Sequence, residues 1–210
     1  MSYKSTLQTH NAQMQENNAL LAQAIEKANA LPDAGGGSGD GVLRALVQRT
    51  ITEFSDPTLE EIGSYAFYYC TELASVNLPA VKTINSYAFG GCSILSSVKF
   101  PLANGVPSNC FRGCQSLETA DFGKATRFET NAFYNCSKLT ALIIRTPTVA
   151  YLSSAGTVFT GTPIENGTGY IYVHRNLIDG RDGPATYAAA TNWSAYQFRA
   201  IEDYPEITGG

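Results

Sequence analysis

Residues 84–100 read INSYAFGGCSILSSVKF, and the same spacing of apolar residues recurs in residues 62–78, 106–122 and 128–144. Each copy follows the pattern I-x-x-x-A-F-x-x-C-x-x-L-x-x-V-x-L with small variations, and successive copies begin 22 residues apart. A fixed period of this length is typical of solenoids, in which stacked coils bury a continuous apolar core that no single coil could bury alone. The four copies therefore predict a chain of stacked coils.

The second half of each copy, L-x-x-V-x-L, places apolar residues at period two. This spacing predicts a short strand with one buried face. Because equivalent strands of successive coils lie about 4.8 Å apart in a parallel sheet, each apolar column becomes a ladder through the core. Three of these columns are Phe67, Phe89, Phe111 and Phe133; Cys70, Cys92, Cys114 and Cys136; and Leu73, Leu95, Leu117 and Leu139.

Composition excludes several classes of protein. Charged residues are only 15% of the chain and the net charge is −4, with no run of lysine or arginine that would neutralise phosphates. The longest apolar stretches fall far short of the roughly 20 residues of a membrane span, and residues 1–18 show no secretory signal. We therefore expect no nucleic-acid partner and no membrane insertion.

The A-F-x-x-C-x-x-L half of the repeat resembles the BspA-type leucine-rich repeats of bacterial surface proteins, over about residues 48–146. The segments GTGYIYVHRNLID (167–179) and YAAATNWSAYQFRAIEDY (187–204) resemble the closing unit of such repeats in phage and prophage proteins. The opening segment that ends in ALPDAGGG is similar to the leader of phage structural proteins from Gram-positive anaerobes. The resemblance implies a β-rich solenoid with an N-terminal α-helix and a small mixed C-terminal cap.

Four segments are predicted along the chain. Residues 1–34 contain a helix for oligomerisation or anchoring, residues 35–41 form a Gly-rich linker, residues 42–146 form the solenoid, and residues 147–210 form a degenerate repeat and the cap. The leader helix carries one apolar stripe: Leu7, Met14, Leu21, Ile25, Ala28 and Leu31. This stripe indicates either self-association, with a homotrimer as our prediction, or docking on another virion protein.

The C-terminal segment departs from the 22-residue period, because Phe159 follows Phe133 by 26 residues. We predict a last strand at Gly169–Val173 and one or two short helices in residues 184–201, with Asn192 as an N-cap. The aromatic residues of this segment are expected to cover the open end of the core, because a terminal repeat has no neighbour: Tyr170, Tyr172, Tyr187, Trp193, Tyr196 and Phe198.

No arrangement of residues indicates chemistry. The five cysteines have no metal-ligand spacing, and the stacked ones favour buried, reduced thiols over disulfides. His174 lies near a turn with Asp179 and Asp182, but no nucleophile elbow accompanies it. We therefore expect no enzymatic activity, no cofactor and no metal.

Residues between the apolar columns should form the outward face of the sheet, a surface on which solenoids commonly bind partners. The candidate partner-binding residues are Ser75, Asn77, Ser97, Lys99, Thr119, Asp121 and Ile143. A plain solvated sheet would show the same pattern, and the sequence leaves both interpretations open.

The resemblance, together with the leader stripe, suggests a phage virion structural protein of tail-fibre or decoration type, with a host-surface protein or glycan as its ligand. A bacterial cell-surface adhesin of BspA type that binds host or matrix protein is the alternative. Localisation follows the same choice, either the virion or the bacterial surface.

Overall fold

The computed structural model describes residues 49–153, 155–180 and 186–208. Two compact units divide the chain, Met1–Ile51 and Thr52–Gly210, and the account below concerns the second. The predicted leader helix and linker lie outside the described residues, as do all the residues of the leader stripe: Leu7, Met14, Leu21, Ile25, Ala28 and Leu31.

Short strands joined by turns make up the second unit. The strands are β1 (Glu53–Ser55), β2 (Glu61–Ile62), β3 (Ser75–Asn77), β4 (Thr83–Ile84), β5 (Ser97–Phe100), β6 (Thr119–Phe122), β7 (Arg127–Phe128), β8 (Ala141–Ile144), β9 (Tyr151–Leu152), β10 (Tyr170–Val173) and β11 (Phe198–Ala200). The helical segments are α1 (Ala155–Val158), α2 (Asn176–Asp179), a 3-10 helix (Ile201–Asp203) and α3 (Pro205–Thr208).

All strand pairs are parallel, as the repeat predicts. The main sheet has the order β11-β10-β8-β6-β5. Strands β1 and β3, which occupy the L-x-x-V-x-L half of their coils, form a separate two-stranded sheet. Ser97 pairs with Thr119 and Thr119 with Ala141, so the 22-residue period of the sequence is the register of the sheet. The parallel-sheet solenoid predicted from the columns is therefore confirmed.

The other sides of each coil have shorter strand pairings than the main sheet. The pairs β2–β4 and β7–β9 form short ladders, with an isolated bridge from Val106 to Phe128 between them. At the A-F-x-x-C turns, backbone amides donate to the next coil: Phe67 N to Ala88 O at 2.7 Å, and Phe89 N to Cys110 O at 2.9 Å. Hydrogen bonds between coils therefore satisfy the backbone at the turns as well as in the sheet.

A stack of phenylalanine rings runs through the core. Phe67, Phe89, Phe111, Phe133 and Phe159 lie nearly parallel, with successive centroids 5.0, 5.3, 5.5 and 5.8 Å apart. Offset stacking at such distances is favourable beyond the apolar area that it buries. The last ring joins the stack although its spacing in the sequence is 26 residues, so the predicted degenerate coil is confirmed.

The cysteine column packs beside this stack. All five cysteines are free and buried. The thiols of Cys92, Cys114 and Cys136 donate to backbone oxygens of the preceding coil at 3.0, 3.1 and 3.0 Å. Burial raises the pKa of the Cys110 and Cys114 thiols well above its usual value, so they are protonated and unreactive at neutral pH.

Aromatic side chains cover the C-terminal end of the core. Trp193 is fully buried against Phe128 and Phe159, and its Nε1 donates to Ala150 O at 2.6 Å. The hydroxyl of Tyr187 accepts a hydrogen bond from the Ala150 amide at 3.1 Å. The polar atoms of both Trp193 and Tyr187 therefore have hydrogen-bond partners. The predicted aromatic cover of this end is confirmed for Tyr187, Trp193, Tyr196 and Phe198, whose rings pack together or on Phe159.

Three details of the C-terminal prediction are wrong: the helices, the N-cap at Asn192 and the position of two tyrosines. Residues 186–197 form turns and Phe198–Ala200 forms β11, where helices were expected. Asn192 is left-handed at φ 70°, and its amide donates to Leu152 O at 2.9 Å, so tertiary contacts outweigh the helix propensity of the alanines. Tyr170 and Tyr172 lie on the outward face of the sheet instead of at the end of the core.

Removing the middle ring of the phenylalanine stack tests the shared core. Phe111→Ala should lower the free energy of unfolding by about 3–5 kcal/mol, because it loses buried area and leaves a cavity between two coils. Ile94→Ala, at an exposed side chain, is the control and should change stability by less than about 0.5 kcal/mol. Urea unfolding followed by circular dichroism measures both, and equal midpoints would contradict a continuous core.

The state of the cysteines gives a second test. With no reductant present, a thiol reagent should find almost no reactive cysteine in the folded protein, because all of them are buried. It should find five after unfolding in guanidinium. Recovery of three thiols or fewer would show that a disulfide forms.

Candidate binding surfaces

Alternate residues of each strand point outward from the sheet. Equivalent outward residues of successive strands line up, and together they form two columns of side chains. Ser75, Asn77, Ser97 and Lys99 are exposed on β3 and β5, and Thr119 on β6 is half-buried. The Asn77 amide donates to Ser55 Oγ at 3.3 Å, which continues the polar surface onto β1. We call these residues of β1, β3 and β5 the polar sheet face: Ser55, Ser75, Asn77, Ser97 and Lys99.

The exposure predicted for Asp121 is wrong. Its side chain is buried because the Arg145 guanidinium binds it with two hydrogen bonds of 2.9 Å, one to each carboxylate oxygen. That hydrogen bond is also the main cause of a raised Arg145 pKa. The Lys99 ammonium lies 3.8 Å from the same carboxylate, on its exposed side.

The exposure predicted for Ile143 is also wrong. Ile143 is 1% exposed and Ala141 5%, because the C-terminal segment folds back over this part of the sheet. Ile201 and Tyr204 pack on these residues together with Tyr172 from β10. The C-terminal segment therefore covers the outward face of β8 and β10, and this face is not accessible to a partner.

Polar contacts fasten this segment at its edge. His174 lies between the Glu202 carboxylate, 3.2 Å from Nδ1, and the Arg145 carbonyl oxygen, 3.1 Å from Nε2. Arg175 forms an ion pair with Asp203. His174, which the sequence left without a role, therefore links the C-terminal segment to the sheet.

A second surface lies on the opposite half of the repeat, at the A-F-x-x-C turns. It is a groove of about 260 Å³ across three coils, here called the tyrosine groove. Its lining residues are Tyr68, Tyr69, Thr71, Gly91, Ser93, Arg112, Gly113 and Gln115. The rings of Tyr68 and Tyr69 meet edge to face, 4.6 Å between centroids, and desolvation raises the pKa of Tyr68 to about 12.

Each turn beside the groove contains a residue with left-handed backbone. In successive coils this residue is Tyr69, Gly91, Gly113, Asn135 and Gly161, at φ 57°, 77°, 75°, 57° and 75°. Glycine adopts this conformation without strain, whereas a bulky residue does so at a cost. Tyr69 is therefore an outlier in its own column, and the residue is 53% exposed.

A cleft of about 400 Å³ lies on the side of β4 and β7. Its charged residues already have partners, since Lys82 pairs with Glu60 at 2.6 Å and Arg127 with Glu129 at 2.5 Å. Exposed pairs of this kind contribute little to affinity or stability. The cleft therefore offers less unpaired hydrogen-bonding capacity than its volume suggests.

The sequence contained one signal for the tyrosine groove. The two residues between Phe and Cys of the repeat are Tyr68–Tyr69, Gly90–Gly91, Arg112–Gly113 and Tyr134–Asn135 in successive coils. These positions change in size and charge from coil to coil while the columns around them stay constant. The positions of these residues in the sequence, however, do not show that stacked coils bring the rings of Tyr68 and Tyr69, the glycines and Arg112 into one groove.

Within the described ranges, no group of three or more His, Cys, Asp or Glu side chains is placed to hold a metal ion. No helix among these residues is both long and apolar enough to cross a membrane.

Comparison with known proteins identifies the repeat. The family model of the BspA type leucine rich repeat region matches six copies in residues 50–168, more than half of the chain. Neither the curated proteins nor the solved structures contain a significant match. Repeats of this kind typically build non-enzymatic scaffolds for binding at surfaces. With six matching copies and a parallel solenoid in the same register, the chain belongs to the BspA-type leucine-rich-repeat family.

Proposed function

We propose that the protein is a non-enzymatic virion component of fibre or decoration type, which presents its leucine-rich-repeat domain to the host surface. Membership of the BspA-type leucine-rich-repeat family supports the more general conclusion that the protein is a surface-binding repeat protein. The polar sheet face carries the proposal: its polar, exposed side chains form one open surface on a continuous core. An open face of this kind suits contact with a large partner better than enclosure of a small substrate.

The placement on a virion is supported by the sequence of the two ends. The leader resembles those of phage structural proteins, and the segments 167–179 and 187–204 resemble closing units found in phage and prophage proteins. In this proposal the leader binds other virion proteins or its own copies, and the linker separates it from the solenoid. A bacterial cell-surface adhesin is the alternative that the experiments below distinguish.

Charge reversal on the polar sheet face tests attachment. Lys99→Glu should reduce binding of the labelled full chain to envelopes of a Gram-positive anaerobe at least tenfold, because it removes the cation of the polar sheet face and places a second carboxylate beside Asp121. Lys138→Glu, at an exposed residue outside this face, is the matched control and should leave binding unchanged. Equal binding by both variants would contradict attachment through the sheet. An antibody against the solenoid should also label purified phage particles, whereas labelling of bacterial surfaces free of particles would favour the adhesin.

The leader makes a separate prediction. Its stripe has too few apolar residues for a stable lone helix, so a partner should bury them, and we expect a homotrimer of the full chain at high concentration. A truncated chain starting at Gly41 should be a folded monomer. Light scattering measures both masses, and equal mass per particle would show that the leader docks on another virion protein instead.

A further inference from the structure

The tyrosine groove combines features that a sugar ring requires. Its floor is glycine backbone: a Cβ on Gly113 would lie only 3.9 Å from the Gly91 Cα, so no side chain stands between the two coils. A Cβ on Gly90 would meet the Tyr68 ring at 3.0 Å, and one on Gly91 the Tyr69 ring at 3.1 Å. Glycine in both positions therefore lets the two rings lie close against the turn of the next coil.

Tyr65, Tyr69 and Tyr87 all have left-handed backbone, but only Tyr69 is exposed. The rings of Tyr65 and Tyr87 are half-buried and stack on each other with centroids 4.9 Å apart, whereas packing does not account for a tyrosine at position 69. The next two coils have glycine at this left-handed position and stack without difficulty. Tyr69 is more than half exposed, so its burial does not compensate for the strain of a bulky residue at φ 57°. Strain retained for an exposed aromatic ring points to a role in binding.

Hydrogen-bonding groups line the rest of the groove. Thr71, Ser93 and Gln115 occupy the residue after each cysteine in three successive coils, and together they offer two hydroxyls and one amide. The Ser93 hydroxyl donates to the Thr71 carbonyl at 3.4 Å, which leaves its oxygen lone pairs for a ligand hydroxyl. No carboxylate belongs to the lining.

Arg112 supplies the only charged lining group. Its guanidinium lies 4.8 Å from the Tyr134 ring centroid and donates to Asn109 Oδ1 at 3.4 Å. These contacts hold the group at the groove while leaving further N–H donors for a ligand oxygen.

We propose that the tyrosine groove is a saccharide-binding subsite, in which one sugar ring of a longer polysaccharide stacks on Tyr69 and its hydroxyls bind Thr71, Ser93, Gln115 and Arg112. The C–H face of a sugar ring complements the negative face of an aromatic ring. A volume of about 260 Å³ lies below the ~300–1,000 Å³ of a pocket that encloses a drug-sized ligand, which suits one ring of an extended chain. The proposal rests on the proposed function for the source of the polysaccharide, the host envelope, but not for the chemistry of the site.

Tyr69→Gly separates binding from folding. Glycine is the residue of the next coil at this position and tolerates its left-handed backbone. The relief of strain should offset the greater entropy of the unfolded chain, so the unfolding temperature should change by no more than a few degrees. Its affinity for wall polysaccharide purified from a Gram-positive anaerobe, measured on the full chain by isothermal titration calorimetry, should fall at least tenfold. Tyr151→Ala removes an equally exposed ring outside the groove and should leave the affinity unchanged.

Four outcomes overturn the subsite, and the last of them leaves the attachment function standing. The first is no binding of the polysaccharide by the parent chain, and the second is an equal loss of affinity in both tyrosine variants. The third is Tyr69-dependent binding to whole envelopes that disappears when the envelopes are treated with protease, since the ligand would then be a protein. Envelope binding that Lys99→Glu abolishes and Tyr69→Gly does not would refute the subsite alone. Binding of purified polysaccharide without binding to intact envelopes would support the subsite and refute the attachment function.

Discussion

Stacking of identical positions in successive coils is the constraint on which the rest of the structure depends. The rings from Phe67 to Phe159 lie parallel at 5.0–5.8 Å, close to the ~4.8 Å spacing of neighbouring strands. Because both the rings and the backbone repeat at nearly the same distance, one register satisfies the core and the hydrogen bonds together. A shift of one residue would turn every column of the strands away from the core.

The same repetition imposes a left-handed backbone conformation on residues for which this conformation is unfavourable. Amides at the turns donate to the next coil at about the same place each time, as Tyr69 N to Gly90 O and Gly91 N to Arg112 O both do at 2.7 Å. A left-handed residue is therefore required in each turn whether or not glycine occupies it. Variation between coils at these turns forms the tyrosine groove.

The C-terminal segment determines how much of the sheet remains open. Ile201 and Tyr204 cover Ala141 and Ile143, while contacts of His174 with Glu202 and Arg145 hold the segment in place. The last strands of a solenoid lack a neighbouring coil, and apolar residues on their outer side need another cover. Consequently the polar sheet face is confined to the earlier coils, where the outward residues are small and polar.

Local pattern was sufficient for the architecture, because the register of a solenoid is the period of its sequence. The parallel sheet, the buried cysteines, the phenylalanine ladder and the aromatic end at Trp193 could all be predicted from spacing and burial preference. Contacts between residues far apart in the sequence could not, since no period relates them. Tertiary structure alone buried Asp121 against Arg145 and covered Ile143 with the C-terminal segment. It also replaced the expected helices by turns and β11, and it brought Tyr68 and Tyr69 of one coil and Arg112 of another into one groove.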